Sequence, residues 1–244
     1  MAYVSDDLTH FVGRHLRSDE EEQYETFLSI LRSGRLLPGG KEVSGEAMWA
    51  SFGGTSLCAE TMFLPNVVCF SDIPEGDLGL HMSKYGRFGI AFAKKWLIPR
   101  GVNPVFYLAV GEGSVSLGEG EGRMPRGDYF NQEVEAIYEA LFDYEEGVDE
   151  DGSLSSEECE QLFSSLHHSA HFFLRYHVFS FIKCFDSSLP KNDPQNFYME
   201  REWRVHGSIE FQLADVSLLI VPPEFRERLR RDLPGYTGPV LSAS

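Results

Sequence analysis

Two glutamates and an arginine alternate late in the chain, as Glu200-x-Glu202-x-Arg204. In a β-strand, residues two apart point to the same side. A strand over residues 196–209 would therefore place both carboxylates and the guanidinium on one face of a sheet. Adjacent carboxylates raise each other's pKa unless they are solvated, paired or functional. The pattern has two interpretations: a catalytic pair, or a solvated strand face whose exposed salt bridges contribute little stability.

A histidine and a tyrosine form a second polar pair. His81 and Tyr85 are four residues apart, which places them on one face of a short predicted helix. His10 lies in the first predicted strand, residues 8–13. Polar side chains held by packed strands are what a ligand pocket requires, but an ordinary core also contains them. A lone histidine in a strand is more often a hydrogen-bonded structural residue, and a tyrosine at a helix end is often a core residue.

Metal binding is not predicted, although two patterns resemble metal sites in part. Four histidines crowd one predicted helix without an H-E-x-x-H motif or an identifiable third ligand; they are His167, His168, His171 and His177. Asp149 and Asp151 fall in a stretch like a calcium loop, but its first position is Gly147, which has no side chain to donate. No C-x-x-C pair occurs, which predicts reduced thiols and no cysteine zinc site. The cysteines are Cys58, Cys69, Cys159 and Cys184.

The elements that must position these residues are strands and helices. Short apolar runs predict further strands at residues 67–70, 88–92, 104–110 and 216–221. Ser18 with Glu21 predicts a capping box for a helix that ends at Gly34. A basic helix follows Pro222 and predicts either a solvated face or a contact with a partner or with RNA. Its arginines are Arg226, Arg228, Arg230 and Arg231.

Two long stretches interrupt this pattern. Residues 38–65 are rich in glycine and serine and predict a long loop, with one helical turn at Met48 and Trp49. A later stretch predicts a mobile glycine-rich segment and then two helices, at residues 111–127, 128–144 and 155–185. We therefore predict a single domain over residues 1–244 with a helical acidic insertion at residues 111–185.

The composition limits the class of protein. The chain has 244 residues, of which 42% are hydrophobic, and this is enough apolar material for a core. Its formal net charge is −17, much of it in residues 143–160. Such a surface repels a nucleic-acid backbone in general, although a local basic cleft could still bind one. No signal-peptide pattern and no apolar run of roughly 18 residues is found, which predicts a cytoplasmic protein without a membrane span.

Several phrases together resemble the AbiGi family, which is linked to bacterial abortive phage infection. They cover most of the chain outside residues 111–185. The phrases are LTHFVGR at residues 8–14, VCFSDIP at 68–74, YGRFGIAF at 85–92, NPVFY at 103–107 and EREWRV at 200–205. That family has an antitoxin label, so the resemblance implies a cognate partner protein of a toxin–antitoxin pair.

The layout of the chain is also similar to ADP-ribosyltransferases of the poly-ADP-ribose polymerase and DarT kind. In those enzymes a strand with a histidine comes first, then a strand with an aromatic residue, a helix with a tyrosine, and a late strand with the catalytic glutamate. The matching residues here are His10, Phe70, Ser71, Tyr85, Glu200 and Glu202. The resemblance implies an α+β fold with a split mixed or antiparallel sheet, flanking helices and NAD as substrate. The usual Gly-Thr after the histidine is replaced by Phe11-Val12.

The resemblance also implies roles for these residues. Glu202 would stabilise the oxocarbenium-like cation that forms when the nicotinamide–ribose bond breaks, and Glu200 would orient or deprotonate the acceptor. Which of the two glutamates is catalytic stays open. His10 would bind the adenosine-side ribose and Tyr85 would stack on nicotinamide. Phe70 and Ser71 would complete the NAD site.

Three functions follow as hypotheses. In the first, the chain is a phage-defence toxin, an NAD-dependent ADP-ribosyltransferase that modifies a protein or nucleic-acid acceptor. In the second, it is a non-enzymatic antitoxin or binding subunit that uses its acidic insertion to mask a basic toxin. In the third, the fold persists with a degenerate pocket. Only the first requires NAD.

Overall fold

Two compact units make up the chain in the computed structural model. The first contains Met1–Gly45, Asn66–Val105 and Lys191–Ser244, and the second contains Glu46–Pro65 and Phe106–Pro190. Strands and helices with a mixed sheet confirm the α+β class. The structure describes residues 5–13, 16, 18–40, 48–50, 63–110, 114–116, 122–146, 169–170, 172–190, 193 and 196–242. No helix among these is long and apolar enough to cross a bilayer.

The strands and helices are numbered in chain order. The strands are β1 Asp7–Phe11, β2 Arg35–Leu36, β3 Met48–Ala50, β4 Phe63–Pro65, β5 Val67–Ser71, β6 Gly89–Ala93, β7 Asn103–Pro104, β8 Phe106–Val110, β9 Ser114–Ser116, β10 Arg123–Pro125, β11 Ile182–Asp186, β12 Glu202–His206, β13 Ile209–Glu210, β14 Val216–Val221 and β15 Val240–Ser242. The helices are α1 Glu20–Ser33, α2 Leu78–Tyr85, α3 Lys94–Leu97, α4 Arg126–Glu146 and α5 Arg226–Asp232.

A seven-stranded sheet is the centre of the first unit. Its order is β15-β14-β6-β1-β5-β12-β7. Neighbouring strands pair antiparallel, except for β14 and β15, which are parallel. β2 and β13 form a separate antiparallel pair. The strands predicted at residues 67–70, 88–92 and 216–221 are confirmed as β5, β6 and β14.

The strand predicted over residues 104–110 is wrong as a single element. The chain pairs first as β7 with β12, and then as β8 with β11. Between the two strands, the amide of Val105 donates a hydrogen bond to the carbonyl of Glu202 at 3.1 Å. An apolar run does not show which strand it will pair with, so the change of partner was invisible in the sequence.

Helix α1 covers the main core. Its N-cap is Asp19, whose carboxylate accepts a hydrogen bond from the Glu22 amide at 3.0 Å. The predicted capping box at Ser18 is therefore wrong by one residue, because the extended backbone at Asp19 (φ −133°) aims that carboxylate at the first turn. The predicted end at Gly34 is confirmed, since Gly34 adopts a left-handed φ of 66°.

The main core lies between α1 and one face of the sheet. Apolar side chains at helical spacing on α1 are buried, namely Tyr24, Phe27, Leu28 and Leu31. They pack in one cluster with Leu8, Phe70, Ile90 and Phe92 from the strands. Burying a large apolar side chain contributes about 1.5–3 kcal/mol, so these buried side chains strongly stabilise the unit.

Helix α5 is tied to α1 by charge as well as by packing. Arg228 pairs with Glu25 at 2.7 Å and with Asp232 at 3.4 Å, and it also pairs with Glu21. Its guanidinium lies 4.4 Å from the ring centroid of Tyr24. Arg228, one of the four arginines of the predicted basic helix, therefore connects α5 to α1.

The second unit consists of small sheets and one long helix. Two antiparallel pairs, β3 with β4 and β9 with β10, accompany a parallel pair, β8 with β11. Helix α4 confirms the helix predicted at residues 128–144. A π-helical turn, Leu174–Val178, and a 3-10 turn, Phe179–Phe181, precede β11.

Three predictions for the second unit are corrected. The helical turn at Met48 and Trp49 is wrong, because Met48–Ala50 pairs with Phe63–Pro65 as a strand. The glycine-rich segment contains the β9–β10 pair. The helix predicted to residue 185 ends earlier, because Ile182–Asp186 pairs with β8. A short apolar run fits a helix or a strand equally well. In each of these cases, pairing with another segment of the chain determined that the run forms a strand.

Several predicted features lie outside the described residues. They are the calcium-like stretch at residues 147–158, most of the histidine-rich helix, the cysteines at 58 and 159, and most of the acidic segment 143–160.

Candidate functional site

The two glutamates of the Glu-x-Glu pattern lie on either side of a backbone kink. Glu200 ends a 3-10 turn, Phe197–Glu200, and Glu202 begins β12. Arg201 between them has a left-handed backbone (φ 45°), and it is the one non-glycine residue with positive φ in the described ranges. Such a conformation costs about 1–3 kcal/mol. The prediction of one continuous strand over residues 196–209 is therefore wrong.

Contacts on both sides of the kink hold it in place. The side chain of Asn196 accepts a hydrogen bond from the Tyr198 amide at 3.3 Å and so caps the turn. The carbonyl of Arg201 accepts a hydrogen bond from the Asp72 amide at 3.1 Å. The turn and the neighbouring strand end together determine the conformation of Arg201, and this is why local alternation failed to predict it.

Glu202 forms a buried ion pair with Arg204. Nε of Arg204 donates to Oε1 of Glu202 at 2.7 Å, and Nη2 donates to Oε2 at 3.4 Å. The two residues are 6% and 9% exposed, so the solvated-face interpretation is wrong for this pair. The two-pronged geometry is the strong form of a carboxylate–guanidinium contact.

Glu200 is also buried and also has cationic and hydroxyl partners. The Tyr85 hydroxyl donates to Oε1 of Glu200, and the Lys84 ammonium forms an ion pair with the same oxygen. Nζ of Lys84 lies 4.3 Å from the ring centroid of Phe197. Since Glu200 is 3% exposed, its charge is compensated by these groups of the same chain rather than by water.

His81 and Tyr85 lie on α2 as predicted and face an aromatic partner from β1. The ring centroids of His81 and Tyr85 are 6.0 Å apart. Phe11 stacks on Tyr85 at 6.3 Å and lies 6.2 Å from His81. The cluster continues into a small apolar core on this face of the sheet, made of Ile73, Leu78, Met82 and Ile220.

His10 lies on the opposite face of the sheet. It is two residues from Leu8, a main-core residue, and its ring meets the edge of Phe70 at 5.9 Å. Nδ1 of His10 is 2.9 Å from the Cys69 carbonyl oxygen, which can only accept, so Nδ1 carries a hydrogen. Burial lowers the pKa of His10, and the hydrogen bond to Cys69 opposes this shift by less. The ring is therefore neutral at pH 7.

The six predicted site residues are divided between two faces. Ser71 pairs with Glu202 across the strands, and Thr9 lies on the other side of Ser71, so these three form one row. Tyr85 contacts Glu200 on the same side. Phe70 lies in the main core instead, and His10 lies on the same face with its ring against the edge of Phe70. The NAD-binding and catalytic roles of the six residues stay predictions.

Sequence patterns missed a second charged cluster at the same strand ends. Asp72 is 4% exposed and accepts from Lys94 Nζ at 2.8 Å and from the Ser5 amide at 3.2 Å. Arg201 lies 3.6 Å from its carboxylate. The position of Asp72 directly after the buried strand β5 was the available signal, because a charge at the end of a buried strand needs a partner. Within the described ranges, no group of three His, Cys, Asp or Glu residues could hold a metal ion.

Comparison with known proteins gives one match. A family model described as "Putative abortive phage resistance protein AbiGi, antitoxin" matches residues 55–228, which is more than half of the chain. No curated protein and no solved structure matches.

This match corrects one prediction and confirms another. The description names an antitoxin, so the prediction of a toxin that transfers ADP-ribose is wrong, and the antitoxin alternative fits better. The resemblance carried by the five phrases is confirmed. The chain belongs to the AbiGi family of abortive phage resistance proteins.

Proposed function

We propose that this protein is the antitoxin of an abortive-infection system and neutralises a toxin protein by binding it. The observation that carries the proposal is the family match over residues 55–228, since the family is described as an antitoxin. An antitoxin of this kind needs a stable surface that recognises its toxin, and it needs no catalytic group.

The contacts of the buried carboxylates support a binding role. Glu202 is committed to Arg204, and Glu200 to Lys84 and Tyr85. The first pair lies within β12 and the second joins α2 to the turn before β12, and all four side chains are largely shielded from water. Removing one member of such a pair is costly, so these residues fix the geometry of the surface around β12.

The charge of the chain supports a basic partner. The formal net charge is −17, and nine acidic residues lie in residues 143–160. A concentrated negative field raises the rate at which a positively charged protein associates, and this gain falls as salt is added. We therefore infer that the toxin has a basic surface that meets the acidic segment.

Two finer predictions do not enter this proposal. The ADP-ribosyltransferase-like form of the fold remains a prediction from the order of His10, Tyr85 and Glu202. NAD as a ligand likewise stays a prediction. Neither is needed for neutralisation by contact.

The direct test is co-expression with the product of the neighbouring gene. We expect this protein to be harmless alone, to restore growth of cells that express the neighbouring product, and to co-purify with it. Growth arrest by this protein alone would contradict the antitoxin role.

A charge-matched pair of variants tests the acidic segment. One variant carries Asp149→Asn, Glu150→Gln and Asp151→Asn, and the control carries Glu22→Gln, Glu210→Gln and Glu227→Gln on exposed positions of the first unit. We expect the first variant to associate about tenfold more slowly at low salt and the control to associate nearly as fast as the wild type. Equal association rates for both variants would show that the acidic segment is not part of the interface with the toxin.

A further inference from the structure

The side chain of Lys84 lies in a small box with three walls that favour a cation. We name this the ammonium box and define it by Glu200, Phe197 and Tyr85. The Glu200 carboxylate pairs with the ammonium, whose Nζ lies 4.3 Å from the Phe197 ring centroid and 5.5 Å from the Tyr85 ring centroid. A carboxylate with aromatic rings beside it is an arrangement that proteins use to recognise ammonium groups.

The box holds a primary ammonium, that of Lys84. A guanidinium binds a carboxylate best when both oxygens are available for a planar two-pronged contact. In the box, both the Tyr85 hydroxyl and the ammonium approach the same oxygen of Glu200, Oε1. A primary ammonium, as a compact point charge, can pair with a single carboxylate oxygen.

The box lies near the surface of the first unit. The Lys84 side chain is 14% exposed, whereas that of Glu200 is 4% exposed. Tyr198, next to Phe197 in the chain, is 52% exposed. Lys84 lies in the last turn of α2, and Gly86 follows with a positive φ of 109°. Lys84 is therefore the more exposed member of the pair.

We propose that the ammonium box is an exchangeable site, in which Lys84 is the resting occupant and a lysine of the toxin replaces it in the complex. This inference rests on the proposed antitoxin function. It follows from the burial of Glu200, whose carboxylate cannot be left without a cation at small cost. Exchange of one ammonium for another keeps that carboxylate paired, and it matches the basic partner that the acidic chain favours.

In the resting state Lys84 competes with the toxin's lysine. When Lys84 occupies the site for most of the time, only a fraction of the molecules have a free site. The apparent affinity for a second ligand is reduced in proportion to that fraction. Removing the internal competitor while keeping its apolar stem should therefore tighten toxin binding. An ordinary structural ion pair predicts the reverse, because its loss would loosen the surface.

The first experiment measures toxin affinity for Lys84→Met, with Lys95→Met as the control. Lys95 lies exposed on α3 and is also a lysine in the first unit. We expect Lys84→Met to bind the toxin about five- to tenfold more tightly than the wild type, Glu200→Gln to bind more weakly, and Lys95→Met to match the wild type. Unchanged or weaker binding by Lys84→Met overturns the exchange.

The second experiment needs no toxin. Lys84→Ala is titrated with n-propylammonium, with n-propanol as the neutral control, and the melting temperature is recorded. We expect a saturable rise with the amine only, and none in Lys84→Ala/Glu200→Gln. Equal responses in the single and double variants overturn the box as an ammonium site, and if Lys84→Ala does not fold, Lys84→Ser serves in its place.

The two proposals fail in different ways. Wild-type protein that neither binds nor neutralises any toxin overturns the antitoxin function and the exchange together. Wild-type protein that binds toxin while Lys84→Met binds it more weakly overturns the exchange alone.

Discussion

The two faces of the seven-stranded sheet are built from different chemistry. One face packs Leu8, Phe70 and Phe92 against α1 in a continuous apolar core. The other has two buried ion pairs, Glu202 with Arg204 and Glu200 with Lys84, beside a smaller apolar cluster. An apolar core is stabilised by many interchangeable contacts, whereas a buried ion pair needs an opposite charge at one defined position. The first face therefore provides stability, and the second fixes a particular geometry.

The largest expected effect comes from the apolar face. Phe92 is fully buried, and its ring stacks on Trp96 at 5.1 Å and meets Phe211 edge-on at 5.1 Å. We expect Phe92→Ala to lower the free energy of unfolding by about 3–5 kcal/mol, because it leaves a cavity. Urea titration followed by circular dichroism measures this loss. Ile98→Ala, at a position that is 50% exposed, is the control and should change stability little.

A double-mutant cycle tests the specific partner on the other face. Glu202→Gln removes the carboxylate that pairs with the buried guanidinium of Arg204, and we expect a loss of about 3 kcal/mol in the free energy of unfolding. Glu202→Gln/Arg204→Met removes both charges and should recover much of that loss. Urea unfolding of the four proteins gives the coupling energy. Additive losses would show that the two side chains act independently.

A smaller loss is expected when one hydrogen bond in the ammonium box is removed. Tyr85→Phe deletes the hydroxyl that donates to Glu200 and keeps the ring that stacks on Phe11. We expect a loss of about 1.5–3 kcal/mol, the range for a hydrogen bond to a charged group. Tyr198→Phe, which removes a hydroxyl from a side chain that is 52% exposed, serves as the control in the same thermal melts. Equal melting temperatures for the two variants would contradict the role of the hydroxyl.

The smallest effect is the pH response of the apolar face. The folded pKa of His10 lies below its unfolded value of 6.5, because burial disfavours the charged ring. The unfolded chain therefore takes up the proton first as the pH falls, so the contribution of His10 to stability is present above pH 6.5 and is lost below it. We expect the urea midpoint to fall less between pH 7.5 and 5.5 in His10→Gln than in the wild type. Identical slopes would show that another group titrates.

The contrast between the apolar face and the ion-paired face also explains which features of the fold and the site could be predicted from the sequence. Strands such as β5 and β14 and the buried stripe of α1 follow from local periodicity, and these predictions are confirmed. Glu200 and Glu202 were recognised as a pair, but the kink at Arg201 depends on Asp72, which is far away in the chain. Lys84 is adjacent to Tyr85 in the sequence, yet its partner Glu200 is more than one hundred residues away. Alternation identifies faces, and it does not identify the partners that meet across them.

The backbone at Arg201 limits how this chain can vary. A left-handed φ of 45° suits glycine, asparagine and aspartate, and it disfavours β-branched residues, whose side chains crowd the backbone. In a saturation library selected for folded protein, codon 201 should accept glycine and asparagine and should lose valine, isoleucine and proline. The neighbouring codons 200 and 202 should instead retain residues with a negative charge. Three consecutive codons would thus show two different patterns of tolerance, one for backbone conformation and one for charge, set by one turn of the backbone.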